Sequence, residues 1–207
     1  MIFMKLFIAA LIFPAVFLMS PAMGAAAADK FGQDVPAPLE EAVAKARAQR
    51  LPYSENYDPA QAAKTLEAVL KRKPDYYRAL FNLGLAYHEL GDYKASTAAF
   101  DRAFTVRAKE GIKDASLLNT AGWVAMKNND FGRAEKLLKQ AEKATSGDGS
   151  FTEKAVVSNL GELYFLTQRL DESRDYFQAY KSKYGGESVD YYLEIIDKSQ
   201  QLQRKIK

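Results

Sequence analysis

A stretch in the middle of the chain predicts two amphipathic helices that fold back on each other. It runs from Pro74 to Ala108, and the pair Gly91-Asp92 marks the turn between the helices. Residues at helical spacing define one face of each half, namely Leu80, Leu83, Gly84 and Tyr87, then Phe100 and Ala103. A single helical pair of this kind cannot bury its apolar face alone. We therefore expect similar pairs before and after it.

Two looser copies of the pattern follow. The same places are held by Leu118, Ala121, Gly122, Ala125, Ala134, Leu138 and Ala141 in the second copy, and by Val157, Leu160, Gly161, Tyr164, Ser173, Phe177 and Tyr180 in the third. Extra residues fall near 109–113 and 146–150, where we expect lengthened loops. A glycine inside a helix costs roughly 1 kcal/mol relative to alanine, but it lets two helices approach closely. We interpret the three glycines as packing residues and the aromatic residues of the stripe as core: Tyr87, Phe100, Tyr164 and Phe177.

The two ends of the array depart from the pattern. Before the first full copy, Ala62, Leu66 and Pro74 fit a second helix with its closing proline, but Arg50 falls where the preceding helix should carry a small residue. After Gly185-Gly186, a last amphipathic segment is suited to cover the exposed end of the third copy. Both ends are therefore expected to act as caps.

In these features the chain resembles the tetratricopeptide-repeat family, and in particular its exported bacterial members. The resemblance implies an all-α fold, a right-handed α-solenoid of antiparallel helix pairs with helical caps. The expected organisation is a signal peptide over 1–28, a flexible leader over 29–38 and a solenoid domain over 39–207, divided into a degenerate repeat 39–76, repeats 77–114, 115–153 and 154–186, and a capping helix 187–207.

The N-terminus is typical of a secretory signal peptide. One basic residue, Lys5, precedes an apolar run from Leu6 to Met19, and a tract of small residues follows. The apolar run is shorter than the roughly 20 residues that a membrane span needs. We expect cleavage after Ala28 or after Gly24, rather than an uncleaved anchor, and a mature protein that is periplasmic or secreted.

The composition argues against several kinds of chemistry. The chain has no cysteine, which excludes disulfides, thiol catalysis and thiolate metal sites, and His88 is its only histidine. Lys and Arg number 29 against 26 Asp and Glu, so the charge indicates no nucleic-acid footprint. No phosphate-cradling glycine motif is present, and the glycines at 147–150 read as a turn. We expect no enzymatic activity, no metal and no cofactor.

In the family, the first helix of each pair lines a concave groove that holds an extended peptide or a partner's helix. By resemblance, the groove residues are Arg78, Phe81, Asn82, Leu85, His88 and Glu89, then Asn119, Trp123, Met126 and Lys127, then Ser158, Asn159, Glu162 and Phe165. Asn82 and Asn159 share a repeat position, where an amide can pair with a peptide backbone. Trp123 is expected either to anchor a partner or to pack on the neighbouring helix. For His88 the alternatives are a ligand contact and a solvated surface position.

The function implied by the resemblance is a non-enzymatic protein-protein interaction module or assembly scaffold of the bacterial cell envelope. Arg78, Asn82 and Lys127 resemble fragments of the family's carboxylate clamp, but the full set is absent. Two alternatives stay open. In the first, the groove serves a small ligand or an enzymatic accessory role, which a tight polar pocket containing His88 with Glu89 or Glu162 would favour. In the second, the protein associates with itself through the groove or through the terminal helix, with five tyrosines as the contact surface: Tyr176, Tyr180, Tyr184, Tyr191 and Tyr192.

Overall fold

The computed structural model describes residues 33–112, 114–145 and 149–206, and the side chains among them up to residue 202. The expected signal peptide and its cleavage site lie outside these residues. From Val35 onward the chain forms one compact unit. All regular secondary structure in the described part is helical, and no helix there is both long and apolar enough to cross a membrane.

Nine α-helices follow one another along the described chain. They are α1 Ala37–Gln49, α2 Pro59–Arg72, α3 Tyr77–Glu89, α4 Tyr93–Lys109, α5 Ala115–Lys127, α6 Phe131–Thr145, α7 Phe151–Leu166, α8 Leu170–Tyr184 and α9 Asp190–Ile206, with a short 3-10 turn at Glu187–Val189 before α9. Helices α1 to α8 pack as successive pairs, and each pair packs on the next. This is the α-solenoid that the repeat pattern predicts.

The three central pairs are closed by the same short turn. Its middle residue has a positive φ in every pair: Gly91 at 75°, Asn129 at 60° and Gln168 at 61°. In the first of these turns the following residue caps the next helix: Asp92 accepts a hydrogen bond from the Ala95 amide at 2.9 Å. Glycine tolerates the left-handed backbone without cost, and asparagine tolerates it better than glutamine does. Backbone geometry, rather than residue identity, is what the three turns share.

The packing role of the repeat glycines is confirmed. A Cβ on Gly84 would lie 2.8 Å from the ring of Phe100, and one on Gly161 would lie 2.7 Å from the ring of Phe177. Gly122 is equally close to Leu138, at 2.8 Å. In each pair, one large side chain of the second helix therefore packs directly against a glycine of the first helix. In two pairs a hydrogen bond also joins the two helices, because a serine hydroxyl donates to the glycine carbonyl: Ser96 to Gly84 at 2.7 Å and Ser173 to Gly161 at 2.9 Å.

The expected aromatic core is correct except at Tyr87. Phe100, Tyr164 and Phe177 are buried, but Tyr87 is half-buried and its hydroxyl donates to Glu67 on α2. Its phenol reaches the edge of the core because a carboxylate on the neighbouring helix offers it a polar partner.

The first pair differs from the interpretation of Arg50. Helix α1 ends at Gln49, so Arg50 lies beyond it at the C-cap, and a connection as far as Asp58 separates α1 from α2. This connection is longer than the turns of the other pairs. Residues of α1 therefore do not lie at the repeat positions that the sequence spacing implies. Two other boundaries also move. The expected leader 29–38 overlaps α1, which begins at Ala37 behind Pro36, and α7 begins at Phe151, within the expected second repeat.

The last helix packs on the end of the array, in the position expected of a capping helix. Val189 and Ile196 join the apolar cluster of α8, which contains Leu170, Phe177 and Tyr180. The ring of Tyr192 stacks on Phe177 with the centroids 4.6 Å apart. Helix α9 therefore covers the apolar side of the third pair.

Candidate partner-binding surface

The first helices of the three central pairs, α3, α5 and α7, carry the residues expected to bind a partner. The structure separates them into two groups. Some side chains are at least partly exposed and form what we call the α3–α5–α7 face: Arg78, Phe81, His88, Glu89, Trp123, Lys127, Ser158, Glu162 and Phe165. The others are buried: Asn82, Leu85, Asn119, Met126 and Asn159.

Aromatic contacts join α3 to α5 within this face. The imidazole of His88 meets the indole of Trp123 edge-on, with the ring centroids 4.9 Å apart, and also lies 5.7 Å from the ring of Tyr93. The ammonium of Lys127 lies 5.7 Å from the Trp123 centroid, within cation-π range. Trp123 therefore packs on the neighbouring helix, and its partly exposed ring still contributes to the surface.

An ion pair continues the same row from α5 to α7. Lys127 Nζ lies 2.6 Å from Glu162 Oε1. The lysine side chain is 37% exposed and the glutamate 21% exposed, so water screens the pair and it adds little to stability. His88, Trp123, Lys127 and Glu162 thus form a connected row across three helices, with an aromatic ring beside both signs of charge.

The asparagine amides have internal partners, which differs from their expected role toward a peptide backbone. Asn82 Oδ1 accepts from Arg50 at 3.2 Å, and its Nδ2 donates to the Arg78 carbonyl at 2.8 Å. Asn159 Nδ2 donates to Asn119 Oδ1 at 2.9 Å, between α7 and α5. All three asparagines are buried. In this structure they hold helices together, because a buried amide needs a hydrogen-bond partner.

Two apolar residues that were expected to line the groove are instead buried. Met126 is only 1% exposed and Leu85 is 7% exposed, so both belong to the core. Helix α5 is buried on most of its circumference, since it lies between neighbouring pairs on both sides. A residue at a groove position of the repeat can therefore be covered when the helices around it close in.

Arg50 is the main residue that the sequence pattern did not assign to this region. It is 4% exposed, and its guanidinium donates to Glu89 Oε1 at 2.9 Å as well as to Asn82. Burial lowers the pKa of Arg50 and raises that of Glu89, and the attraction between the two charges opposes both shifts. The pair ties the end of α1 to α3. A basic residue at the end of an alanine-rich helix carries no signal that distinguishes this role from a solvated one.

His88 is not the solvated surface histidine that was one alternative. Burial, and then the positive charges of Lys127 and Arg50, lower its pKa. The imidazole is therefore neutral at pH 7. Its Nδ1 atom is buried without a hydrogen-bond partner among the described residues.

Two of the three clamp-like residues are engaged within the protein. Asn82 is bonded to Arg50, and Lys127 is paired with Glu162. In the described ranges, no group of three or more His, Asp or Glu side chains has the arrangement of a metal site.

The tyrosines considered for self-association are mostly packed inside the protein. Tyr180 belongs to the apolar cluster of α8, and Tyr184 and Tyr192 pack against that cluster. Tyr176 packs on Tyr164 at 5.5 Å. Only Tyr191 of the five is largely exposed, at 66%.

Solved structures with the same fold come from several bacteria. The chain aligns with pilF of Pseudomonas aeruginosa at 17% identity and a TM-score of 0.64, covering 79% of this chain and 71% of that one. It aligns with MamA of Desulfovibrio magneticus RS-1 at 17% identity and a TM-score of 0.63, covering 78% and 86%. For BtubC (BKLC) of P. vanneervenii the identity is 19%, the TM-score 0.54, and the coverage 81% and 85%. These likenesses establish the fold.

Comparison with curated proteins gives no match. The family model described as tetratricopeptide repeat matches residues 53–109 and 119–188, which together make up more than half of the chain. The first segment begins after α1 and ends with α4, and the second runs from within α5 to the 3-10 turn before α9. The packing glycines and the paired helices agree with this match, and the chain belongs to the tetratricopeptide-repeat family.

Proposed function

We propose that this protein is a non-enzymatic interaction module or assembly scaffold of the bacterial cell envelope. It binds a peptide or helix of a partner protein on the α3–α5–α7 face, where the family's groove lies. The family itself generally consists of protein-interaction modules. We further propose that a cleaved signal peptide exports the protein to the periplasm or beyond, as its N-terminal sequence predicts.

The observation that carries this proposal is the connected row across the three inner helices. Trp123 lies at its centre, between His88 at 4.9 Å and the ammonium of Lys127 at 5.7 Å. Partly exposed tryptophans surrounded by polar groups are common anchors of protein interfaces. The Lys127 to Glu162 pair supplies charges of both signs at the rim, where they would give specificity rather than affinity.

Affinity capture tests the proposal. Tagged protein is crosslinked in cells and purified from the periplasmic fraction, in parallel with Trp123→Ala and with Tyr53→Ala. Tyr53 is a matched aromatic control because its side chain is 86% exposed in the connection between α1 and α2. We expect Trp123→Ala to lose the partner that the wild type captures, and Tyr53→Ala to keep it.

Circular dichroism and thermal unfolding establish that both variants remain folded. An unchanged set of partners in folded Trp123→Ala protein would sink the groove proposal. N-terminal sequencing of the purified protein tests export separately, since a start at Asp29 or Ala25 is expected and an intact Met1 would contradict it.

No specific observation favours the small-ligand alternative. The two best-formed cavities among the described residues contain neither His88, Glu89 nor Glu162. The row around Trp123 is a surface rather than an enclosed pocket, which fits an extended partner better than a small molecule.

A further inference from the structure

A second surface lies on the other layer of the array, between the second helices α2 and α4. A cavity of about 360 Å³ opens there. Leu83 and Tyr87 of α3 contribute to its lining, and three alanines of α4 line it too: Ala95, Ala98 and Ala99. Its volume is at the lower end of ligand-binding pockets, which span roughly 300–1,000 Å³.

A small residue at one repeat position helps to leave this groove open. Ala99 lies fifteen residues after the packing glycine of its pair, and the same position holds Leu137 in the second pair and Tyr176 in the third. Leu137 is buried and Tyr176 is half-buried. In those pairs the chain supplies a large side chain of its own, whereas Ala99 leaves the corresponding space empty.

The third pair indicates what such a space accepts. There the ring of Tyr176 packs on the ring of Tyr164, with centroids 5.5 Å apart. The Tyr176 hydroxyl donates to Glu142 Oε1 at 2.6 Å, on the preceding second helix. Tyr164 stands three residues after its packing glycine, as Tyr87 does. An aromatic ring therefore fits on a tyrosine at this position, between two second helices.

The charges at the rim favour an acidic neighbour for such a ring. Lys71 on α2 and Arg102 on α4 both line the groove and are exposed. The Arg102 guanidinium donates to the Pro74 carbonyl at 3.1 Å, which keeps its charge beside the groove. Glu67 is the single lining carboxylate, and it already accepts from the Tyr87 hydroxyl. Two cations thus face one engaged anion.

We propose that the groove between α2 and α4 docks a tyrosine or phenylalanine side chain of a partner protein, flanked in that partner by acidic residues. The docked ring takes the place over Tyr87 that Tyr176 takes over Tyr164. None of the residues that define the α3–α5–α7 face lines the groove, so the two surfaces are separate. The protein would then hold two partners at once, as a scaffold does.

Peptide titration by NMR tests this proposal on the isotope-labelled protein, purified as the cell processes it. The probes are acetyl-Glu-Tyr-Glu-amide, acetyl-Lys-Tyr-Lys-amide and acetyl-Glu-Ala-Glu-amide. With the first peptide we expect chemical-shift changes of the amides of Tyr87, Ala95 and Ala98 that saturate at millimolar peptide concentration. The lysine peptide should bind about three- to tenfold more weakly, as exposed charge pairs allow, and the alanine peptide should not saturate.

Filling the groove from within supplies the matched variants. Ala99→Tyr restores the residue of the third pair, and Ala99→Leu that of the second, so we expect either variant to abolish the shifts. Ala108→Tyr is the control, because Ala108 is exposed on the same helix and outside the groove. If Ala99→Tyr does not fold, Ala99→Leu and the three wild-type titrations still decide the question.

Three results of the titrations would overturn the proposal. They are the absence of saturable shifts at the groove with the tyrosine peptide, equal shifts in a folded Ala99 variant, and equal binding of the alanine peptide. A wild-type dimer in light scattering that Ala99→Tyr converts to a monomer would also overturn it, because a second copy would then occupy the groove.

Discussion

At Gly84 the missing side chain matters, since it lets the ring of Phe100 pack against the backbone of α3. An added Cβ would lie 2.8–2.9 Å from three atoms of that ring, which is itself only 1% exposed. The ring cannot move aside cheaply in a close-packed interior. The steric cost therefore exceeds the gain in helix propensity that alanine brings.

Gly84→Ala should lower the free energy of unfolding by up to roughly 2 kcal/mol, because overpacking costs about 1–3 kcal/mol and propensity returns about 1 kcal/mol. Gly132→Ala is the control with the same chemical change. Gly132 lies in α6 with nothing within 4 Å of its added Cβ, so the substitution should be neutral or stabilising by up to about 1 kcal/mol. Urea denaturation measures both, and effects of the same sign would contradict the packing role.

His88 should make stability depend on pH. Burial, and then Lys127 and Arg50, lower its pKa in the folded protein, whereas the unfolded chain has a histidine pKa of about 6.5. Between these two pKa values the unfolded state binds more protons, so the free energy of unfolding falls as the pH drops below about 6.5. The carboxylate of Glu89, the next residue along the chain, accepts a hydrogen bond from Arg50.

His88→Gln removes this proton-binding difference and leaves the charges around it in place. Urea unfolding of both proteins at pH 7.5 and pH 5.5 measures it. We expect the wild type to lose more stability than the variant between these two conditions. Equal losses would show that other groups account for the whole pH dependence.

At the scale of helices, α9 shows how one element protects the end of an array. Its residue Ile196 is fully buried against the end of the array, whereas Leu202 on the same helix is 60% exposed. A terminal helix of a solenoid contributes through the face that it buries. Shortening the side chain of Ile196 to alanine therefore removes packing contacts, whereas the same change at Leu202 removes few.

Ile196→Ala should lower the free energy of unfolding by about 2–4 kcal/mol, as expected for a large-to-small change in a core. Leu202→Ala should change it by less than about 0.5 kcal/mol, as exposed substitutions usually do. Thermal or urea unfolding compares them. Similar costs for the two variants would mean that α9 does not pack on the array as described.

Sequence predicts an element well where its signal is local. The turn at Gly91 and the helix after Asp92 follow from residue types with known backbone preferences. The first pair was harder, because the connection from Arg50 to Asp58 is longer than the other turns. Counting back from Ala62 by the repeat spacing places Arg50 inside a helix, whereas helix α1 ends before it.

At the scale of the whole molecule, repetition made the fold predictable. Three glycines in register determine which helices pair, and each glycine faces a large side chain as expected. The surface was less predictable, because its details depend on contacts between repeats. The amide of Asn159 meets that of Asn119 across two helices. Met126 is fully buried, whereas His88 at the same repeat position is only partly buried. No pattern within one repeat encodes such pairings.

Site-specific photocrosslinking in living cells tests the central claim most directly. A photoreactive phenylalanine analogue replaces Lys127 on the α3–α5–α7 face or, as controls, the exposed residues Lys64 on α2 and Lys143 on α6. If this face binds the partner, Lys127 should give one defined crosslinked protein in the envelope fraction that neither control gives. No crosslink from Lys127, or the same product from all three positions, would contradict the claim.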